Sequence, residues 1–379
     1  MASLYLHIPF CEHKCIYCDF YSIESIDPME SFVRALKNEI LLHDSYAAKE
    51  SFETIFFGGG TPSLLSPAVL GEILNLLSKT FTITPNAEIT MEANPGTVEQ
   101  KKLGDFRAAG VNRISFGVQS FHDDELRFLT RIHSADEAES AIRSARACGF
   151  GNVSLDLIFA LPGQTMEKWM SNLERAARLD LEHLSAYSLI VEQNTPLSRM
   201  VRSKQVSQLP LETEADMYQA TMAFLHAKGY EHYEISNYGK PGYFSRHNMN
   251  YWNHSNYLGF GPSAHSYWTG KRWWNISNVQ NYCDMISAGR LPRAGEEQLE
   301  LAQLFDERIM LGLRSDGIDL ERLRREFGGE VLAPYRETID LLIGEQLATA
   351  TEASLRLTDK GYLLCDEITQ RFLATPSAA

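Results

Sequence analysis

Six short apolar runs, each bounded by Gly, Pro or polar residues and followed by helical periodicity, occupy the first half of this 379-residue chain. They are Leu4 to Pro9, Thr54 to Phe57, Glu88 to Glu92, Arg113 to Val118, Val153 to Phe159 and His183 to Ile190. Between them lie amphipathic segments, Pro28 to Leu42, Pro67 to Leu77, Val98 to Ala109, Ala135 to Ala147 and Met166 to Leu179. Such alternation predicts a parallel sheet with right-handed crossovers, since a strand rejoins its sheet in the same direction only through a connection long enough for a helix. Pro28 and Pro67 fall where a first helical turn tolerates proline, and Gly110 and Gly149 follow predicted helix ends. Six units are too few for a closed eight-stranded barrel, so the expected fold is α/β: an open six-stranded (β/α)6 partial TIM-like barrel. A flat doubly wound sheet would read similarly, and both architectures put chemistry at the carboxyl ends of the strands.

The composition changes after about residue 235. Tyr238 to Trp274 is dense in aromatic, Asn, His and Gly residues and reads as long loops covering a site. Charged amphipathic helices return at Glu296 to Leu313, Leu320 to Phe327 and Tyr335 to Gln346, then a hairpin-like Leu355 to Thr358 and a last helix, Lys360 to Phe372. The expected regions are therefore a barrel domain over 1–235, an aromatic-rich loop region over 236–295 and a smaller, mainly helical, winged-helix-like C-terminal domain over 296–379. Lys and Arg number 35 against 49 Asp and Glu, which excludes a broad basic surface for a nucleic-acid backbone. Without a signal-peptide pattern or a run of 18 apolar residues, the chain reads as cytoplasmic.

The unusual residues cluster at the predicted strand ends: Cys11 after the first strand, Gly58-Gly59-Gly60-Thr61-Pro62 after the second, Glu92 after the third, Gln119 after the fourth and Asp156 within the fifth. Cys11, Cys15 and Cys18 form a CxxxCxxC loop, while Cys148, Cys283 and Cys365 are scattered and read as buried small hydrophobes. Three thiolates suit a [4Fe-4S] cluster with one iron left open. Zinc is the alternative, and a structural zinc site would need His7 or His13 as a fourth ligand.

The cysteine loop, with Tyr17 just before its last Cys and the glycine triplet after the second strand, resembles the radical S-adenosylmethionine superfamily. The resemblance implies a [4Fe-4S] cluster held by Cys11, Cys15 and Cys18, whose open iron chelates S-adenosylmethionine. It further implies cofactor contacts around Gly58, Gly59, Gly60 and Thr61, where the lack of a side chain admits close approach. Tyr5, Gly59, Glu92, Gln119, Arg131 and Asp156 match polar cofactor-contacting positions of the oxygen-independent coproporphyrinogen dehydrogenase branch, in the same order. Chemically, Glu92 and Asp156 suit ribose or amino contacts and Arg131 suits a carboxylate.

His247-Asn248-Met249-Asn250-Tyr251-Trp252 is an HNxxYW string, similar to the motif of haem-chaperone members of that branch. Imidazole is a haem axial ligand, and Tyr251 and Trp252 supply flat apolar faces for a macrocycle. Phe20 stands where the decarboxylating enzymes carry a further cysteine, and only ten residues precede Cys11. The resemblance thus implies haem binding and delivery without decarboxylation; the second reading is oxidative decarboxylation of coproporphyrinogen III by a 5'-deoxyadenosyl radical. A tRNA-modifying radical enzyme is disfavoured by the acidic balance. The expected partners are haem, recipient apo-haemoproteins at the inner face of the membrane, an electron donor for the cluster and a second copy of the chain, with no nucleic acid.

Overall fold

The structure, a computed structural model, describes residues 2–46, 50–329 and 331–373. Residues 1 and 374–379, the outer ends of the first and last expected regions, lie outside the described residues. Strands β1 (Ala2–Ile8), β2 (Phe52–Gly59), β3 (Ile83–Ala93), β4 (Arg113–Gln119), β5 (Val153–Phe159) and β6 (His183–Ser188) pair in parallel, side by side in chain order. Helices α1 (Met29–Leu42), α2 (Pro67–Thr80), α3 (Gln100–Ala109), α4 (Asp123–Phe128), α5 (Ala135–Ala147) and α6 (Met166–Arg178) fill the crossovers. Local signals start and stop them. Ser66 caps α2 through the Val69 N–H with Pro67 at the first helical position, and Gly110 ends α3 in the left-handed conformation.

The two faces of β1 serve different ends. Leu4, Leu6 and Ile8 are fully buried in one core with Phe32, Leu36 and Ile40 of α1, where each such side chain stabilises the fold by about 2 kcal/mol. Tyr5 and His7, on the other face, line a cavity.

Among the described residues the sheet has twelve strands rather than the expected six. After α7 (Pro196–Arg202) and α8 (Leu211–Ala227), β7 (Glu231–Glu234) and β8 (Asn237–Gly239) extend the β6 edge antiparallel. After α9 (Arg246–Trp252), β9 (Tyr257–Phe260) pairs in parallel with β1. Antiparallel β10 (His265–Trp268), β11 (Lys271–Asn275) and β12 (Arg293–Gln298) continue outward, with α10 (Val279–Ser287) between the last two. The segment expected as covering loops therefore contributes strands β8 to β11 and helix α9, joined by shorter loops. Glu296 to Gln298, expected to open a helix, instead ends β12; the helix α11 begins at Leu301 (Leu301–Leu313).

The C-terminal unit adds β13 (Ile318–Asp319), α12 (Leu320–Phe327), α13 (Arg336–Gly344), the hairpin β14 (Ala348–Ala350) and β15 (Ser354–Leu357), α14 (Asp359–Tyr362) and α15 (Cys365–Leu373). Its three strands form a separate small sheet. Cys283 and Cys365 are buried as expected, whereas Cys148 is only partly buried. Among the described residues no helix is long and apolar enough to cross a membrane.

Candidate functional site

The cysteine loop leaves β1 and is tied down on three sides. The Cys11 N–H donates to the Ile23 carbonyl, the Ile16 N–H to Thr130 Oγ1 at 3.2 Å, and the Leu197 N–H to the Ile16 carbonyl. Two thiols receive donors from elsewhere in the chain: Thr61 Oγ1 lies 3.6 Å from Cys11 Sγ, and Arg131 Nη1 lies 3.3 Å from Cys15 Sγ. Donors aimed at sulfur stabilise the thiolate form that a cluster requires. All three cysteines are free, and three thiolates suit a cluster ligated through three irons; among the described residues no group of three His, Cys, Asp or Glu side chains is set to hold a single metal ion.

Of the two candidate fourth ligands for zinc, His7 is committed at both ring nitrogens, and the same lack of a ready three-ligand group among the described residues applies to zinc. His7 donates from Nε2 to the Tyr21 carbonyl at 2.8 Å, while its Nδ1 accepts from the Tyr5 hydroxyl at 3.1 Å. His13 pairs with Glu24 at 3.2 Å on the surface.

The glycine turn is pressed against the protein's own chain. A Cβ on Gly59 would stand 2.6 Å from the His7 ring, and one on Gly60 would stand 2.6 Å from the Phe10 carbonyl oxygen. These two positions let β2 press against β1 and the start of the cysteine loop; Gly58 alone of the three faces Tyr5 and Glu92. Gly59 also has φ 106°, a region that favours glycine.

Glu92 is half-buried, and its carboxyl is pushed up to about 8 by desolvation and by the neighbouring charge of Asp156, against the opposing bond from the Gly59 N–H. Desolvation likewise raises Asp156, and the hydrogen bonds from Ser185 and from Ser115, the latter at 3.4 Å, oppose the rise. Arg131 does not offer an open fork for a carboxylate: Nη1 is on Cys15, Nη2 is 2.5 Å from the Gly117 carbonyl, and Nε is buried without a partner. Gln119, with φ 71°, lies with Arg131 over the bare Cα of Gly117. Tyr17 packs against Leu129, Ile158 and Leu161 beside Arg131. The structure thus gathers the acidic strand ends, Gln119, Arg131 and the cysteine loop. Thr130, whose hydroxyl anchors that loop, carried no signal in the sequence beyond its place next to Arg131.

The HNxxYW segment is α9, capped by Ser245 through the Asn248 N–H. His247 is 1% exposed, stacked on Phe56 at 4.8 Å, and both ring nitrogens are engaged: Nδ1 with Thr54 Oγ1 at 2.7 Å and Nε2 with the Tyr251 hydroxyl at 2.9 Å. Burial and the nearby Arg113 hold its pKa down to about 3, so the ring is neutral. The axial-ligand role expected for His247 is therefore not open in this conformation; its Nε2 would first have to release Tyr251. Trp252 lies in a small cleft against Arg308, Arg322 and Leu323 of the C-terminal unit, away from the large cavity, so the expected pair of flat faces is divided between two places.

That cavity, of about 580 Å3, opens between β1, β9, β10 and α11. Tyr5, Tyr21, Tyr251, Tyr257 and Tyr267 supply its aromatic wall, and Phe20, 62% exposed, stands at its rim. Asp19, Phe20 and Tyr21 continue directly from Cys18, so the cavity adjoins the cysteine loop.

Residues 5–176 match the radical SAM superfamily and residues 299–364 match the HemN C-terminal domain. The haem chaperone HemW of Bacillus subtilis is 37% identical over 377 residues, covering 98% of this chain and 99% of its own. That of Escherichia coli is 42% identical over 266 residues, 69% of each chain. Among solved structures, coproporphyrinogen III oxidase (HemN) of Escherichia coli, described as a radical SAM enzyme, matches with a TM-score of 0.83 at 24% identity over 98% of this chain and 89% of its own, a likeness of fold. Identity sustained along almost the whole of both partners carries more than fold: the chain belongs to the HemW family within the radical SAM superfamily.

Proposed function

We propose that this protein is a haem chaperone that binds haem beside a radical SAM cluster and passes it to apo-haemoproteins. One observation carries the reading: the continuation of the cysteine loop and Tyr251 of the HNxxYW segment wall the same aromatic cavity of about 580 Å3. Flat apolar rings around a deep cleft suit a macrocycle, which gains from stacking and from loss of water at its faces.

Cys11, Cys15 and Cys18 would hold the [4Fe-4S] cluster. Bound there, the cluster and S-adenosylmethionine would supply a low-potential electron and a cleavable sulfonium. The chain's own residues prepare that site. Thr61 and Arg131 donate to thiols, and Tyr17 lies in contact with Cys15 and Arg131. Glu92 and Asp156 offer half-buried carboxyl oxygens for the cofactor's hydroxyl and amino groups, with Tyr5, Gly58, Gly59, Gly60 and Gln119 around them. Haem in the cavity would meet the HNxxYW segment through Tyr251, with His247 behind it holding the Tyr251 hydroxyl and Asn248 and Trp252 on the same helix outside the cavity wall.

The division at 235 and 295 follows from these roles: a partial-barrel unit for cluster and cofactor, a middle segment for haem, and a winged-helix-like unit that closes the cavity with α11. Delivery to apo-haemoproteins in the cytoplasm at the inner face of the membrane, an electron donor for the cluster and a homodimer complete the proposal.

Anaerobic titration of the reconstituted protein with haem tests it. A saturable Soret band and no carbon dioxide release from coproporphyrinogen III are expected, since Phe20 occupies the place of the decarboxylases' additional cysteine. Turnover of that substrate, or no specific haem binding, would remove the reading.

A further inference from the structure

His7, His254 and His265 line the large cavity, and they differ in whether a ring nitrogen is free. His7 has both nitrogens committed, to the Tyr21 carbonyl and the Tyr5 hydroxyl. His254 donates from Nε2 to Glu307 at 3.0 Å, and its Nδ1 is sealed from the cavity, buried without a partner beneath a ring stacked 4.2 Å from Tyr267. His265 is different: its residue is exposed at the cavity wall, and among the described residues its ring nitrogens take no hydrogen bond or ion pair. Its ring lies parallel to Trp274, with centroids 5.9 Å apart and planes at 23°, which limits its rotation without touching its nitrogens.

The backbone holds His265 in place from behind. Gly259 has no room for a side chain, because a Cβ would stand 2.0 Å from the His265 carbonyl oxygen, so β9 presses directly on β10 at this point. The Ser266 hydroxyl accepts the Gly259 N–H at 2.8 Å and locks the same contact. Strand alternation then puts Tyr267 on the same face as His265, and the cross-strand register places Trp274 opposite His265 and Arg272 opposite Tyr267. Burial, with the positive charge of Arg272 nearby, lowers the His265 pKa, which keeps the ring neutral and its lone pair available near neutral pH.

We propose that His265 is the axial ligand that holds the iron of haem seated in this cavity. The proposal rests on the haem-chaperone reading and names the iron ligand for it. His247 then acts as a positioning residue, holding the Tyr251 hydroxyl in the wall through the 2.9 Å bond to its Nε2. A neutral imidazole on a rigid sheet, facing a cleft walled by tyrosines, supplies what haem iron needs from a histidine.

The test uses the full-length protein with its cluster reconstituted, titrated anaerobically with haem and followed by absorbance and EPR. His265→Ala should lose the imidazole-ligated signature and bind haem at least tenfold more weakly, and added free imidazole should restore the signature. His265→Met should shift the Soret band rather than abolish it, which separates a changed ligand from a collapsed cavity. His247→Ala should weaken haem binding while keeping the imidazole-ligated signature. An unchanged spectrum in His265→Ala would overturn the proposal, as would loss and imidazole rescue of the signature in His247→Ala alone. If the wild-type protein takes no haem at all, the chaperone reading itself fails, an outcome distinct from either.

Discussion

At the scale of single residues, Arg131 couples the cysteine loop to the sheet: one guanidinium nitrogen reaches Cys15 Sγ and another the Gly117 carbonyl. Arg131→Lys keeps the charge but replaces a planar fork with one ammonium, so it cannot meet both acceptors. Weaker S-adenosylmethionine binding is expected, read as a reduced effect of the cofactor on the cluster's EPR signal, while an exposed change such as Arg324→Lys leaves that effect intact. Cys15→Ala should abolish loading of the roughly four iron and four sulfide expected of a [4Fe-4S] centre. Gly60→Ala touches no thiol, yet its Cβ would fall 2.6 Å from the Phe10 carbonyl oxygen and 2.9 Å from that of Ile8. The loop must move to admit it. Iron retention should therefore drop in Gly60→Ala with far-UV circular dichroism unchanged; full retention would show that the loop tolerates the shift.

Elements are joined across the sheet by one buried carboxylate. Glu39 on α1 accepts from the Gly261 N–H at 2.8 Å, the Tyr282 hydroxyl of α10 at 2.6 Å and the Asn275 amide of β11 at 2.6 Å. Desolvation outweighs these donors and raises its pKa from 4.5 to about 7. The folded state thus binds this proton more tightly than the unfolded state does, so the Glu39 contribution to stability falls as pH rises from about 4.5 to 7 and is constant above. Glu39→Gln should remove that falling segment from a plot of unfolding free energy against pH. A slope identical to wild type over this interval would contradict the assignment. Helix capping is a smaller lever: Ser66→Ala deletes the bond to the Val69 N–H and should cost about 1 kcal/mol in chemical denaturation.

For the whole molecule, the question is how the C-terminal unit stays on the sheet. Arg308 of α11 and Arg322 of α12 both donate to the Asn253 carbonyl, just past α9, at 2.7 and 2.8 Å, and both pair with Glu326. Glu307 receives Arg272 at 3.0 Å and His254 at 3.0 Å across the same seam. Since α11 carries Glu307, Met310 and Leu311 of the cavity wall, this seam also sets the width of the cavity. Replacing Arg308 and Arg322 together by Ala should raise the rate of proteolytic cleavage near the β12–α11 connection and weaken haem binding in parallel. Faster cleavage with unchanged haem binding would show that the seam holds the fold without shaping the cavity.

The sequence by itself determined the six βα units and the position of the cysteine loop at the end of β1, because hydrophobic period, caps and motif spacing are local properties of the chain. It also placed Glu92 and Gln119 at strand ends and Asp156 within the fifth strand, and a parallel sheet brings such positions to one side. Only the tertiary structure decided that the aromatic segment carries strands and a helix between its loops. Strands such as β8 and β9 are three and four residues long and depend on partners far away in sequence, as where Ser3 pairs with Tyr257. It alone decided that Arg131 turns to Cys15 and that Gly59 and Gly60 make room for His7 and Phe10. The fate of the histidines was also invisible in the chain. His247 carries the recognisable motif yet is enclosed by Thr54, Phe56 and Tyr251, while His265, in no motif singled out from the sequence, faces the cavity. Which nitrogen is free depends on partners that only folding brings within reach.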